Sequence, residues 1–307
     1  MTKIVNSSLS PLLGAGFALV AALSNGTVGV LSRTAFNEGM DHTAVAFWRC
    51  GIALFLVTLI VVLRPNGIER LAQAFRGSWK IAICSALGIF TLYHFETQAL
   101  AYASIPLVAI LVFAGGLGAI LLDIFVLKEK ITIRKTFAMF MVFSGSYFLI
   151  SRDGMAIGNG VGIGLALIAG IGYASFIFAW KFFRLRSSLE SFWWFLAFGF
   201  AMLAIPYALN GAQIPSVSAL PSLMSLGMIP SLCGFYCTIL ALQYIEAYKT
   251  QVIESSEPFF SALFAALFFG EWLTNTGILA AICVIAGALI TSMPERRDNV
   301  NASTASG

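Results

Sequence analysis

The chain has 307 residues, of which 59% are hydrophobic and only 10% charged, far below the roughly 25% charged residues of soluble proteins. A bilayer core of about 30 Å takes about 20 apolar residues per helix, so this length accommodates about ten membrane-spanning helices and leaves no room for a soluble domain. The net charge of +4 has a topological origin developed below and gives no ground for nucleic acid as a partner.

Ten spans are expected, at 11–35, 42–63, 80–103, 106–128, 131–151, 160–180, 189–209, 220–245, 250–270 and 273–293. The first follows a stretch whose only charge is Lys3 and exceeds the roughly 7 to 15 residues of a signal-peptide core, so it is read as a retained helix. It carries Ser24-Asn25-Gly26, the second carries Trp48 and Arg49, and the third carries Tyr93-His94, Glu96 and Gln98. Small residues crowd the fourth span at Gly115, Gly116 and Gly118 and the sixth at Gly160, Gly162, Gly164, Gly170 and Gly172, which predicts close helix approach. Asp123, near the inner end of the fourth span, can snorkel to the interface.

The sixth span also holds Tyr173, Phe176 and Trp180, the eighth Cys233, Tyr236 and Cys237, and the ninth Glu254, Glu257 and Pro258. Trp79, Trp180, Trp193 and Trp194 fit an aromatic belt at the inner interface and Trp272 one at the outer. All five cysteines fall in apolar runs, and Cys233 and Cys237 are expected as small core residues. The polar tail from Pro294 is expected to be disordered.

Basic loops resist translocation. With the N-terminus in the cytoplasm, fifteen of the eighteen Lys and Arg residues fall in cytoplasmic connections. Only Arg33 and Arg152 lie on the far side, and Arg49 lies within a span. A wrong span count would scramble this asymmetry, so both termini are assigned to the cytoplasm.

Sliding the chain on itself by 142 residues aligns Ala99-Leu100-x-Tyr102 with Ala241-Leu242-x-Tyr244, Glu129-x-x-Thr132 with Glu271-x-x-Thr274, and Gly145 with Gly287. One gap-free offset marks a duplication, with halves at 1–151 and 152–293 and a tail at 294–307. Five helices per half is an odd number, so the second copy enters the membrane from the opposite side. Inverted repeats of this kind place a transported solute near the midplane, at the interface between the repeats. The expected fold is therefore an all-α membrane protein of ten helices in two inverted five-helix repeats around a central cavity.

The chain resembles the drug/metabolite transporter superfamily, in its ten-helix exporter branch. The resemblance rests on Ala241-Leu242-x-Tyr244, Glu257-Pro258 and Gly270-Glu271-Trp272-Leu273-Thr274 running into Gly287, with Ser24-Asn25-Gly26 and Arg49 in the first two spans. The first half reads Lys128-Glu129 where the second has Gly270-Glu271. Length and the Tyr93-His94 pair resemble the bacterial aromatic amino-acid exporter group. This implies a basket of helices in a bacterial inner membrane that opens in turn to cytoplasm and periplasm and exports aromatic amino acids or similar amphipathic metabolites. Non-aromatic amino acids or other metabolites are the alternative cargo. No cofactor or metal is implied, and a monomer surrounded by lipid is compatible with the pattern. The four-helix relatives carry a carboxylate in their first helix, whereas Pro11 to Ser32 contains none here.

Ionisable groups inside spans cost about 2.5 to 3.5 kcal/mol to insert and are functional candidates by default. Arg49 and Glu96 each lie seven residues below the outer end of their spans, about 10 Å deep at 1.5 Å per residue, so they are expected to pair. The pair either fixes the second helix to the third or grips a substrate carboxylate. Tyr93, His94 and Gln98 lie beside this level, and Gln98 shares a helix face with His94. Glu254 and Glu257 face roughly one way, and Pro258 deprives the Glu254 carbonyl of its helical partner. That group suits a substrate ammonium, a proton or a cation; the alternative is a packed kink with Glu254 snorkelling to the cytoplasm. Trp48, Tyr173, Phe176, Trp180 and Tyr236 are candidates for an apolar cavity wall. The candidate substrate-binding set is thus Asn25, Trp48, Arg49, Tyr93, His94, Glu96, Gln98, Tyr173, Phe176, Tyr236, Glu254 and Glu257.

Enzymatic readings find little support. His42 and His94 are the only histidines, no Gly-x-Ser-x-Gly elbow occurs, and no Gly-x-x-x-x-Gly-Lys-Ser/Thr loop is present to hold a nucleotide. A non-transporting membrane scaffold is the remaining alternative.

Overall fold

In the computed structural model, residues 9–75, 78–115, 159–245 and 247–292 are described, with 136–137, 140–141 and 144. Among them every element is helical. Apart from 136–137, 140–141 and 144, the expected fifth span lies outside the described residues, as do the fourth beyond Gly115, Arg76, Asp123, Glu129, Thr132, Gly145, Arg152 and the tail.

The first span is broken by Gly26-Thr27 into α1 (Leu9–Asn25) and α2 (Val28–Asn37). Asp41 caps α3 (His42–Val62) by accepting the Thr43 N–H at 2.9 Å, which satisfies a first-turn amide. A short helix that the hydrophobic pattern did not foretell, α4 (Gly67–Ala74), lies in the next connection. The third span is composite: α5 (Trp79–Ser85), a π-helical segment (Ala86–Thr91) and α6 (Leu92–Tyr102), followed by α7 (Ile105–Gly115). Then come α8 (Gly160–Phe182), α9 (Leu189–Leu209), α10 (Leu220–Leu226), a second π-helical segment (Gly227–Gly234) and α11 (Phe235–Tyr244). The ninth span is interrupted at Ser255-Ser256 into α12 (Ala247–Glu254) and α13 (Glu257–Phe269), and α14 (Asn275–Ser292) follows. Pro258 thus does more than bend a helix: it sits in the first turn of a new one, where its missing N–H breaks no bond.

Five stretches are long and apolar enough to cross a membrane: Pro11–Asn37, His42–Val62, Gly160–Phe182, Leu189–Leu209 and Leu220–Tyr244. They match the expected spans at 11–35, 42–63, 160–180, 189–209 and 220–245 to within two residues at each end. The offset of 142 recurs in the backbone. The π-helical segment Ala86–Thr91 shifts onto 228–233, inside Gly227–Gly234, and α6 and α11 end at the matching Tyr102 and Tyr244.

Glycines set the closest crossings. A Cβ on Gly170 would stand 2.1 Å from the Val112 carbonyl oxygen, and one on Gly115 2.7 Å from the Gly170 Cα, so α7 and α8 touch backbone to backbone. Gly162 and Gly172 are likewise pressed against neighbours, whereas Gly160 and Gly164 face open space and serve no such contact. Large apolar side chains such as Phe55, Leu267 and Phe268 are exposed on the outer surface, as lipid-facing positions are. Trp79 and Trp272 are exposed as an interfacial belt requires, but Trp180 is buried in the core against Phe176 and Phe195. Cys237 is buried as expected; Cys233 is exposed, within 3.9 Å of the Ser24 hydroxyl.

The connections gather at two ends. At one, Gln213 bonds the Asp41 N–H at 2.7 Å and the Gly39 carbonyl at 2.8 Å, and the Asn159 N–H bonds the Tyr102 carbonyl at 3.2 Å. At the other, the Trp194 indole donates to the Leu71 carbonyl at 3.0 Å and Trp79 packs on Phe183. Arg64, Arg70, Lys80, Lys181, Arg184 and Arg186 belong to this second end.

Candidate functional site

Breaks in helices turn side chains inward where a continuous helix would have followed its own stripe. The break after Asn25, the start of α6 just past the first π-helical segment, the second π-helical segment and the start of α13 all abut one cavity. Its lining combines Asn25, Val28, Arg49, Leu92, Tyr93, Glu96, Val112 and Phe113 with Tyr173, Pro230, Ser231, Phe235 and Glu257. The space open to water centres is about 20 Å³, enough for a water molecule and too little for a solute. The described conformation is therefore a contracted one.

Arg49, only 1% exposed, donates from Nη2 to Glu96 Oε2 at 3.1 Å, and its guanidinium carbon lies 3.6 Å from the centre of the Tyr93 ring. The expected ion pair is thus present, and the ring adds a cation–π contact. Arg49 Nε, Asn25 Oδ1 and Ser231 Oγ are buried without hydrogen-bond partners. The Tyr93 hydroxyl lies close to Ser231 but meets no hydrogen-bond geometry. Leaving one buried polar atom unpaired costs about 1 to 3 kcal/mol, so four around one small space mark a place where a polar guest belongs.

Glu257 lines the cavity, and among the described residues no Lys or Arg forms an ion pair with it. Glu254 lies behind the wall and is fully buried, which removes the snorkelling alternative. Its Oε2 accepts from the Tyr173 hydroxyl at 2.5 Å and its Oε1 from the Thr238 hydroxyl at 2.6 Å. The two carboxylates therefore do not share one exposure: the interruption at Ser255-Ser256 sets one into the cavity and the other into the packing.

Of the candidate residues, Asn25, Arg49, Tyr93, Glu96, Tyr173 and Glu257 meet at the cavity. Trp48, His94, Gln98, Phe176 and Tyr236 do not line it. The Trp48 indole donates to the Gln213 carbonyl at 3.1 Å, in the α9–α10 connection. His94 stacks on Phe90 and bonds Gln98 at 2.7 Å, the pairing their spacing predicts. Phe176 packs on Phe195, and Tyr236 on Phe192. Pro230 and Ser231 were missed; the only sign of them was a proline inside an apolar run. Thr238 was missed because a lone hydroxyl in a span ordinarily bonds its own helix.

A second polar cluster lies at the end of the molecule that holds Gln213. Gly270 closes α13 with φ of +68°, a conformation that glycine adopts freely. The turn brings Glu271 to Arg33 at 3.0 Å and to the Ile105 N–H at 2.9 Å, at the N-terminus of α7. Arg33 also donates to the Leu100 and Ala103 carbonyls. Arg33, expected only as a residue of an outer connection, in fact ties α2, the α6–α7 connection and the α13–α14 connection together.

Lipid-facing helices around a buried, charged and under-satisfied cavity define a multi-pass membrane transporter of small molecules. The sequence profile of the EamA-like transporter family matches residues 12–151 and again residues 160–293, and the chain belongs to that family. An uncharacterized transporter of Archaeoglobus fulgidus is 23% identical over 278 residues, which cover 90% of this chain and 95% of that one. The triose phosphate/phosphate translocator of non-green plastids from Brassica oleracea var. botrytis is 30% identical over 101 residues, 32% of this chain and 25% of that protein. A solved crystal structure superposes with a TM-score of 0.60 at 18% identity, covering 93% of this chain and 96% of the other, which shows a shared fold.

Proposed function

We propose that the chain exports aromatic amino acids, or amphipathic amines of similar size, across a bacterial inner membrane by alternating access, with both termini in the cytoplasm. The observation that carries this reading is the cavity lining. Rings of Tyr93, Phe113, Tyr173 and Phe235 surround unpartnered polar atoms, an Arg49 guanidinium and two carboxylates, Glu96 and Glu257. An amino-acid carboxylate meets Arg49, its ammonium meets Glu257 and the Asn25 Oδ1 acceptor, and its side chain meets the rings.

Inversion of the two family matches is supported by chain direction. α3 runs from the end holding Gln213 to the end holding Leu71, and α9, the second helix of the later match, runs the opposite way. Both matches contribute to the cavity, as expected of a site between inverted repeats. The plastid relative is named for phosphate-bearing solutes, but the single guanidinium here is already held by Glu96 beside a second carboxylate, a charge balance hostile to a dianion.

Counterflow in proteoliposomes tests the reading. Vesicles loaded with unlabelled phenylalanine or tryptophan are expected to take up the labelled compound faster than protein-free vesicles. Faster exchange of alanine or of a phosphorylated sugar than of either aromatic amino acid would reassign the cargo, and no exchange of any solute would leave a scaffold.

A further inference from the structure

Glu254 is the most enclosed carboxylate described: no part of it is exposed, and among the described residues no Lys or Arg pairs with it. A substrate cannot reach it, because Tyr173 stands between it and the cavity, lining the space and holding Oε2 with its hydroxyl. A buried carboxylate without a cation is stable as the neutral acid or as an anion with strong donors, and this one has an environment that serves both forms. As the anion it accepts from Tyr173 and Thr238. As the acid, protonated on Oε2, it donates to the Tyr173 oxygen and still accepts from Thr238 on Oε1.

We propose that Glu254 is the proton-carrying site of this carrier, loaded and unloaded from the cavity through the Tyr173 hydroxyl. The step is a concerted relay. A donor in the cavity, hydronium or a protonated Glu257, gives its proton to the Tyr173 oxygen while the phenolic proton passes to Glu254 Oε2. One O–H bond breaks on the donor and one on Tyr173; one forms on Tyr173 and one on Glu254. Tyr173 ends neutral, and the only net change is a proton moved from the cavity to Glu254.

Among the described residues, the titratable and charged groups near Glu254 are few. Tyr173 faces it from α8, Cys237 from α11 and Glu257 from α13; α14 carries only Cys283, α12 itself Tyr248 and Lys249, and α1 carries no titratable residue. Across the cavity stand Glu96 and Arg49, already paired. One guanidinium therefore offsets one of three carboxylates, and a proton on Glu254 competes with an ammonium at Glu257 for the remaining negative charge. Inward protons then drive amines outward. Thr238 links the event to the cavity wall, since its hydroxyl also reaches the Gly234 carbonyl at 3.3 Å in the π-helical segment that carries Pro230 and Ser231.

The exchange arm rests on the transport reading above, so a second arm needs no substrate. In proteoliposomes with the voltage clamped by potassium and valinomycin, a gradient of one pH unit is expected to shift the steady-state level of labelled phenylalanine by up to about tenfold. Glu254→Gln is expected to abolish that shift while measurable counterflow remains, and Tyr173→Phe to slow it. Gradient-driven accumulation that survives Glu254→Gln, or counterflow in the unmodified protein with no response to the gradient, overturns the proposal and leaves the cargo reading standing. If no aromatic amino acid is exchanged, infrared difference spectra of the purified full chain in lipid decide alone. A protonated-carboxyl band that titrates with pH and vanishes in Glu254→Gln supports the site, and a spectrum unaltered by Glu254→Gln overturns it.

Discussion

Arg49 shows how far residue-level inference reaches. Its depth in the second span matched that of Glu96 in the third, and the 3.1 Å bond follows from that match. Ring contact with Tyr93 and the orphaned Nε were beyond the sequence, because both depend on how α3 rotates against α6. Aromatic wall residues were legible only in part for a related reason. Composition offers many rings, and only packing separates Tyr173, which lines the cavity, from Phe176, which packs in the core. Breaking a buried pair by removing one partner costs about 3 to 5 kcal/mol, so Arg49→Leu alone is expected to lower thermal stability and abolish transport without explaining why. The charge swap, Arg49→Glu with Glu96→Arg, separates anchoring from substrate grip. Melting in detergent is expected to recover toward the unmodified protein, with counterflow still absent, because the guanidinium no longer faces Asn25 and Tyr93. Recovery of both together would reduce the pair to a helix fastener.

At the scale of elements, hydrophobic run length located the spans because lipid imposes it from outside the chain. Interruptions inside the spans were harder to see. Pro258 announced the break before α13 and Pro230 marks the π-helical segment at 227–234, but nothing local announces the one at 86–91, where the third span likewise gains a residue per turn. Glycine patterning had mixed value, since a stripe of small residues does not say which side faces a neighbour. Gly170 and Gly164 lie on the same helix and separate the two cases. Gly170→Ala drives a methyl to 2.1 Å from the Val112 carbonyl, whereas at Gly164 the added methyl meets nothing. Overpacking typically costs about 1 to 3 kcal/mol, while Ala for an unencumbered helical Gly gains about 0.5 to 1 kcal/mol. Thermal unfolding in one detergent is expected to move down for Gly170→Ala and level or up for Gly164→Ala. An equal response would remove the claim that α7 and α8 meet through backbone.

For the whole molecule, two independent observations bear on the proposed topology. Loop charge assigned Arg64, Arg70, Lys80, Lys181, Arg184 and Arg186 to a single side from the sequence. Contacts that owe nothing to charge, Trp194 to Leu71 and Trp79 to Phe183, gather the same connections at one end, and Gln213, Gly39 and Asp41 gather the opposite connections at the other. An even alternation of helices satisfies both, and the Arg33–Glu271 tie then falls at the end poor in basic residues. Glu38, Arg70, Arg186 and Ser218 are all exposed, so each accepts a single cysteine in a cysteine-free background. A membrane-impermeant maleimide is expected to label Glu38→Cys and Ser218→Cys from outside intact spheroplasts. Arg70→Cys and Arg186→Cys are expected to react only after permeabilisation. Because Arg70 precedes α5 and Arg186 follows α8, finding these two in opposite compartments means an odd number of crossings between them. Such a count cannot place α3 and α9 antiparallel in the membrane, and inversion, the shared cavity and the exchange of protons for amines lose their common basis at once.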